Sequence, residues 1–177
     1  MKKTTLKMTL SGLFLALCML LPLLTMQNQQ LGSALSLMHI PVLLCGFVCG
    51  WPYGLAVGFV APLLRFLLFG MPPIFPVGTA MAFELAAYGV FAGLLYQYLP
   101  KKIPYIYATL ILAMLGGRAV WGAAMAVLSL ASAKVDFTFA AFLAGAFVKA
   151  MPGIILHIVL VPLVVIALRK ARLMANE

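Results

Sequence analysis

The chain has 177 residues, of which 66% are apolar and 8% are charged, and its net charge is +9 at pH 7. Roughly 25% of the residues of a soluble domain are charged, so this composition excludes an ordinary water-soluble domain. A membrane-spanning helix needs ~20 apolar residues, so the length allows about six such helices. We predict a single all-α integral membrane domain over residues 1–177, a compact bundle of six transmembrane helices.

Proline, glycine and charged residues divide the chain into six apolar runs, which predict helices at 8-26, 37-50, 53-70, 75-98, 104-131 and 138-168. The second run is short for a full span, so it either begins earlier, near Leu31, or forms a tilted or partly interfacial helix. Pro152 lies inside the sixth run. Because proline removes a backbone hydrogen bond and clashes with the preceding turn, we expect a kink near this residue.

The first run follows a pair of lysines, as the apolar core of a secretory signal would. Residues 25–30 after it lack the small-residue pattern of a cleavage site, so we predict a retained first helix. Gly12 and Ala16 are four residues apart on one face of this helix. Small residues at that spacing let helices approach closely in lipid, so the face either packs inside the bundle or docks on another membrane subunit.

Basic residues divide unevenly between the two ends of the predicted bundle. With the N terminus inside, eight of the twelve Lys and Arg residues lie at the cytoplasmic ends of helices: Lys2, Lys3, Lys7, Lys101, Lys102, Arg169, Lys170 and Arg172. The outer loops contain only Lys134. Because cytoplasmic loops carry the excess of Lys and Arg, we predict a multi-pass protein of the cell membrane with both termini in the cytoplasm.

Glycines recur every four residues around the second and third runs, at Gly46, Gly50, Gly54 and Gly58. This spacing favours a tightly packed helical hairpin. Cys45 and Cys49 are also four residues apart, but one helical pair lacks the second pair of a typical zinc site. We therefore predict no metal and no cofactor.

Four charged side chains lie inside the apolar runs: Arg65, Glu84, Arg118 and Lys149. A charge at bilayer depth costs at least ~2.5 to 3.5 kcal/mol, so such residues normally face the interior of a bundle or a wet cavity. At ~1.5 Å per residue, all four fall in the outer half of the predicted bundle. Arg65 is close enough to its helix end that its side chain could extend to the outer headgroups instead.

Other side chains suited to binding a small polar molecule lie at a similar depth. Glu84 and Tyr88 share a helix face, as do Arg118 and Trp121. Thr79 lies somewhat off the face of Glu84. The predicted substrate-binding residues are Glu84, Tyr88, Arg118, Trp121, Lys149, Asn28, Thr79 and His39.

The predicted cavity has more positive than negative charge, because one carboxylate cannot neutralise three cations. An anionic or zwitterionic ligand would relieve this surplus, and arginine offers a carboxylate two parallel hydrogen bonds. Alternatively, Glu84 pairs with Arg118 or Lys149 and the charges only lock helices together. The sequence contains no phosphate-binding loop, no zinc-protease motif and no plausible serine-hydrolase set, so we predict neither an enzyme nor a nucleic-acid partner.

Three segments have a distinctive composition: MHIPVLLCG at 38–46, GWPYGLAVG at 50–58 and GMPPIFP at 70–76. Together with six short-looped helices, they resemble the substrate-binding S component of energy-coupling factor (ECF) vitamin transporters, over nearly the whole chain. The resemblance implies a subunit that captures a vitamin or related metabolite outside the cell. It also implies docking on a shared module of one ECF transmembrane subunit and two cytoplasmic ATPase subunits.

The resemblance further implies that Gly12 and Ala16 form the docking motif, where the family has two alanines. It implies a pocket in the outer halves of helices four to six, with the first loop as a lid. That pocket would contain Glu84, Tyr88, Arg118, Trp121 and Lys149.

The surplus of cations favours a carboxylate-bearing vitamin, with pantothenate or niacin as candidates. A zwitterionic or nucleoside-like ligand is the second possibility, and a cationic ligand such as thiamine is disfavoured. Two other functions remain open. One is a structural membrane subunit with a closed, dry interior and no small-molecule ligand. The other is a stand-alone secondary transporter, although the sequence lacks the clear internal repeat common in that class.

Overall fold

The computed structural model describes residues 2–25, 32, 34–131 and 138–176, and this part of the chain is helical without any strand. The α-helices are α1 (Lys2–Leu20), α2 (His39–Cys49), α3 (Trp51–Phe69), α4 (Thr79–Tyr98), α5 (Ile103–Ala131), α6 (Phe139–Leu143) and α7 (Met151–Lys170). Three shorter helical turns extend them: Leu21–Thr25 after α1, Ile74–Gly78 before α4 and Ala144–Val148 after α6. The predicted site residue Asn28 lies outside the described residues.

Five helical segments are long and apolar enough to cross a membrane: Lys3–Leu24, Trp51–Phe69, Ile74–Tyr98, Ile103–Ala131 and Met151–Lys170. They confirm the predicted fold class of an all-helical integral membrane bundle. Helix α1 begins at Lys2, earlier than the predicted start at residue 8, because the flanking polar residues continue the helix beyond the apolar run.

Helix α2 differs from the other predicted crossings in both length and burial. Its 11 residues are all buried. At ~1.5 Å per residue they extend about 16 Å, well short of a hydrocarbon core ~30 Å thick. The helix contacts α1, α3, α4 and α7. A helix that is apolar on every face is thus surrounded by the other helices. Its tilt and its position relative to the lipid interface stay predictions, and the alternative start near Leu31 lies outside the described residues.

The regularly spaced glycines bring α2 and α3 against α4. The two helices meet in a sharp turn at Gly50, whose φ of 96° is a conformation that favours glycine. A Cβ atom on Gly46 would lie 2.6 Å from the Gly89 carbonyl oxygen, and one on Gly54 would lie 2.7 Å from the same atom. The predicted hairpin is present, but its glycines contact a third helix, whose own Gly89 and Gly93 complete the close packing.

The sixth predicted helix is interrupted close to the predicted kink. Lys149 and Ala150 form a turn between the Ala144–Val148 segment and α7. Pro152 lies in the first turn of α7, where its missing N–H would have had no helical partner. The interruption places Lys149 between two helical segments rather than on a continuous helix face.

The two ends of the bundle differ in their residues. The N terminus, the α4–α5 connection and the C terminus lie at one end, where Arg169 donates to the Lys101 carbonyl and Asn176 lies beside Gly50. We call this the termini end. The C-terminal ends of α1, α3 and α5 lie at the opposite end. We call it the cavity end, for the feature described next.

Candidate substrate-binding site

A cavity of about 270 Å³ opens at the cavity end of the bundle. This volume is close to the lower end of the range for small-molecule sites, roughly 300 to 1,000 Å³. Its apolar wall includes Pro22, Leu37, Met38, Pro72, Val77 and Met81. Its polar and aromatic lining includes His39, Arg65, Glu84, Arg118, Trp121 and Lys149. The cavity therefore combines an apolar wall with a small set of charged groups.

Glu84 lies at the centre of the polar lining and is only 1% exposed. Its Oε1 accepts a hydrogen bond of 2.8 Å from Arg118 Nη1. His39 Nε2 lies 3.5 Å from the same oxygen. Glu84 is the only acidic residue in the described part of the chain, since Asp136 and Glu177 lie outside it. The structure thus identifies Arg118 as its main partner, and this pair connects α4 to α5.

His39 extends this cluster towards α7. Its ring is 4% exposed, meets Tyr88 edge-on at 5.2 Å between centroids, and stacks on His157 at 6.0 Å. His157 Nε2 in turn lies 3.3 Å from the Ser36 carbonyl oxygen. Within the described residues, both ring nitrogens of His39 and Arg118 Nε lack a hydrogen-bond partner. These three atoms have almost no exposed surface, so within the described residues they are buried polar groups that lack the partner such groups usually have.

Arg65 also lines the cavity, although its side chain could have extended to the headgroups. It is 6% exposed. Its Nη1 donates to the Met19 carbonyl of α1 at 3.3 Å, and its guanidinium lies 5.4 Å from the ring centre of Phe69. These two contacts hold the side chain inside the bundle. Arg65 forms no ion pair with Glu84, the sole carboxylate among the described residues.

The segment between α6 and α7 closes one side of the cavity. Lys149 lines the cavity from the turn before α7 and is exposed. Trp121 stacks on Phe142 at 6.1 Å between ring centroids. Gly145 leaves room for the indole, because a Cβ atom there would lie 3.1 Å from Trp121 Cη2. An aromatic surface thus lies next to the charged lining.

The structure brings five of the eight predicted site residues to the cavity: His39, Glu84, Arg118, Trp121 and Lys149. Tyr88 lies behind His39 and is not part of the described lining. The Thr79 hydroxyl donates to the Ile74 carbonyl at 2.7 Å, at the start of α4 and outside that lining. Arg65 was not among the predicted site residues, although its position within an apolar run indicated a location inside the bundle.

The predicted docking pair lies on the outside of the bundle. Gly12 and Ala16 are both exposed on α1. A Cβ atom on Gly12 would meet nothing within 4 Å. The pair is thus not used to pack α1 against the described helices, and its docking role stays a prediction.

A comparison with protein families identifies the family to which the chain belongs. Residues 6–165 match the model of the family described as ECF transporter, substrate-specific component. Neither the curated proteins nor the solved structures gave a match to the chain. The family implies a small-molecule substrate and association with ECF membrane and ATPase subunits. The match covers most of the sequence, and the chain therefore belongs to the substrate-specific components of ECF transporters, which are transport subunits and not enzymes.

Proposed function

We propose that this S component captures a small water-soluble molecule that bears a carboxylate, in the cavity of about 270 Å³. The observation that carries the proposal is the charge of the lining, where Arg65, Arg118 and Lys149 face a single carboxylate, Glu84. The pair of Glu84 and Arg118 is neutral as a unit. The other two cations have no carboxylate partner among the described residues.

An anionic ligand would stabilise this arrangement. A buried cation is costly unless it is paired and hydrogen-bonded. Charge-assisted hydrogen bonds to a carboxylate are roughly twice as strong as neutral ones, and a guanidinium can form two of them in parallel. The ligand would thus supply the negative charge that the lining lacks, while the apolar wall would contact its body.

Vitamins that carry one carboxylate on a small body fit this description, and pantothenate and nicotinate are our first candidates. A zwitterionic or nucleoside-like molecule is the second class to test. The alternative of a purely structural subunit is supported by the Glu84–Arg118 pair, which joins two helices. It predicts a dry, closed interior, however, whereas the cavity is open and lined by charged side chains.

The ends of the bundle suggest how capture leads to transport. The termini end carries Lys101, Lys102 and Arg169, so the positive-inside rule favours a cytoplasmic location for it. The cavity would then open to the outside of the cell membrane. The exposed pair Gly12 and Ala16 would dock on the ECF transmembrane subunit. ATP hydrolysis would occur in two cytoplasmic ATPase subunits.

Thermal unfolding of the detergent-purified protein tests ligand capture. A ligand that binds only the native state stabilises it by about 2.7 kcal/mol at a hundredfold excess over Kd. For a chain of this size, such a change raises Tm by about 5 to 11 °C. We expect such a shift with a carboxylate-bearing vitamin and none with thiamine. A shift with thiamine alone would contradict the proposal. So would the absence of a shift with every compound of a vitamin panel.

A further inference from the structure

We infer that Arg65 is the residue that recognises the carboxylate of the substrate, while the Glu84–Arg118–His39 cluster binds an uncharged polar part of it. The inference rests on the proposed function and divides the site into two parts with different chemistry. It also narrows the substrate class to monocarboxylates that carry an uncharged polar group, such as a hydroxyl, an amide or a ring nitrogen, at a distance from the acid.

The three cations of the lining differ in their availability to an anion. Arg118 already donates to Glu84 at 2.8 Å, so a second carboxylate would have to compete with a buried one. Lys149 is exposed, so water screens its charge. Arg65 is 6% exposed and has no carboxylate partner in the described residues. It is therefore the cation that gains most from an anionic ligand.

The guanidinium of Arg65 is also held in place before any ligand binds. One nitrogen donates to the Met19 carbonyl, and the Phe69 ring lies 5.4 Å away. Arginine has five N–H donors in a fixed fork, so the bond to Met19 leaves others for a carboxylate. A side chain that is already fixed loses less entropy on binding.

The second part of the site has donors and acceptors but no net charge. Glu84 and Arg118 neutralise each other, and both line the cavity together with His39. A hydroxyl or an amide can both donate and accept, so it matches this set. A second carboxylate would lie against Glu84 and be repelled.

The test uses two pairs of probes that differ mainly at the acid: pantothenate with pantothenol, and nicotinate with nicotinamide. Dissociation constants are measured by titration calorimetry on the full-length protein and on two variants, Arg65→Gln and Lys149→Gln. The second variant removes the same charge from an exposed position of the same cavity. It is the matched control for a general loss of positive potential.

For the acid of whichever pair binds, Arg65→Gln should raise Kd at least about tenfold, the loss expected for one charge-assisted hydrogen bond. Its effect on the neutral partner should be under about threefold, and Lys149→Gln should raise the Kd of the acid by a smaller factor than Arg65→Gln does, because Lys149 is exposed. Equal losses for acid and neutral probe in Arg65→Gln would overturn the inference and make Arg65 a structural residue. A larger acid-specific loss in Lys149→Gln would overturn it in favour of Lys149.

Two further outcomes keep this test separate from that of the proposed function. Binding of the acid by the wild-type protein, with no selective effect of Arg65→Gln, would refute only the role of Arg65. Failure of the wild-type protein to bind any carboxylate probe would refute the proposed substrate class and the inference with it. If Arg65→Gln does not fold, Arg65→Lys replaces it. This variant keeps the positive charge but loses the planar fork of donors, so its affinity for the acid should fall selectively. An equal fall in affinity for the acid and the neutral probe would overturn the inference.

Discussion

Replacing Arg118 by methionine should destabilise the protein, because it leaves a carboxylate that is 1% exposed without its hydrogen-bonded cation. Removing one partner of a buried ion pair typically costs ~3 to 5 kcal/mol. The Arg118 side chain is 13% exposed, and His39 Nε2 lies 3.5 Å from the same Glu84 oxygen. We therefore expect a loss at the lower end, about 3 kcal/mol, which lowers Tm by about 6 to 12 °C.

A double-mutant cycle separates this pair from other effects of the substitutions. Glu84→Gln, Arg118→Met and the double variant are compared with the wild-type protein by thermal unfolding in the same detergent, without ligand. The double variant has no unpaired carboxylate, so it should be more stable than Arg118→Met by at least about 1 kcal/mol. Additive losses, with the double variant the least stable of the three, would refute the pairing of Glu84 with Arg118.

The same variant has a second readout in ligand binding. Arg118 lines the cavity, so Arg118→Met should weaken binding of the substrate by at least about 1.5 kcal/mol, or more than tenfold. Titration of the purified variant below its Tm measures this loss. Unchanged affinity with reduced stability would leave Arg118 a purely structural role.

Three more predictions concern packing, docking and orientation. Gly58→Ala should destabilise the protein by about 1 to 3 kcal/mol, because a Cβ atom would overlap the Leu85 carbonyl of α4. Thermal unfolding measures this loss of stability, and Gly12→Ala is the control whose stability should not change. Gly12→Leu should leave ligand binding unchanged and abolish uptake in cells that contain the ECF module; loss of binding would show instead that this face packs internally. In a Lys102→Cys variant, a membrane-impermeant maleimide should react only after permeabilisation, since the three native cysteines are buried; labelling of intact cells would refute the predicted orientation.

Much of the site was predictable because charge inside an apolar run has few stable locations in lipid. Glu84 and Arg118 were placed at similar depths on neighbouring helices, and the structure joins them. The direction of the Arg65 side chain was not predictable. It depends on a carbonyl of α1 and on a ring one turn further along α3, and depth alone does not distinguish this interior position from the headgroups.

The location of α2 at the centre of the bundle was also not predictable from the sequence. A short run with no charged residue is typical both of a membrane helix exposed to lipid and of a helix at the centre of a bundle. Contacts with four other helices decide between them. Glycine spacing likewise predicts close approach without naming the partner, and here Gly46 and Gly54 both face Gly89 of α4.

The most direct test of carboxylate capture is to identify what the protein binds in the cell. The protein is purified in mild detergent from cells grown in vitamin-rich medium, then denatured, and the released small molecules are identified by mass spectrometry. An Arg65→Gln preparation serves as the matched control. We expect one compound with a carboxylate, bound close to one per chain and depleted in the control. A neutral or cationic compound bound in that amount, or no bound compound at all, would contradict the assignment of the cavity to a carboxylate-bearing substrate.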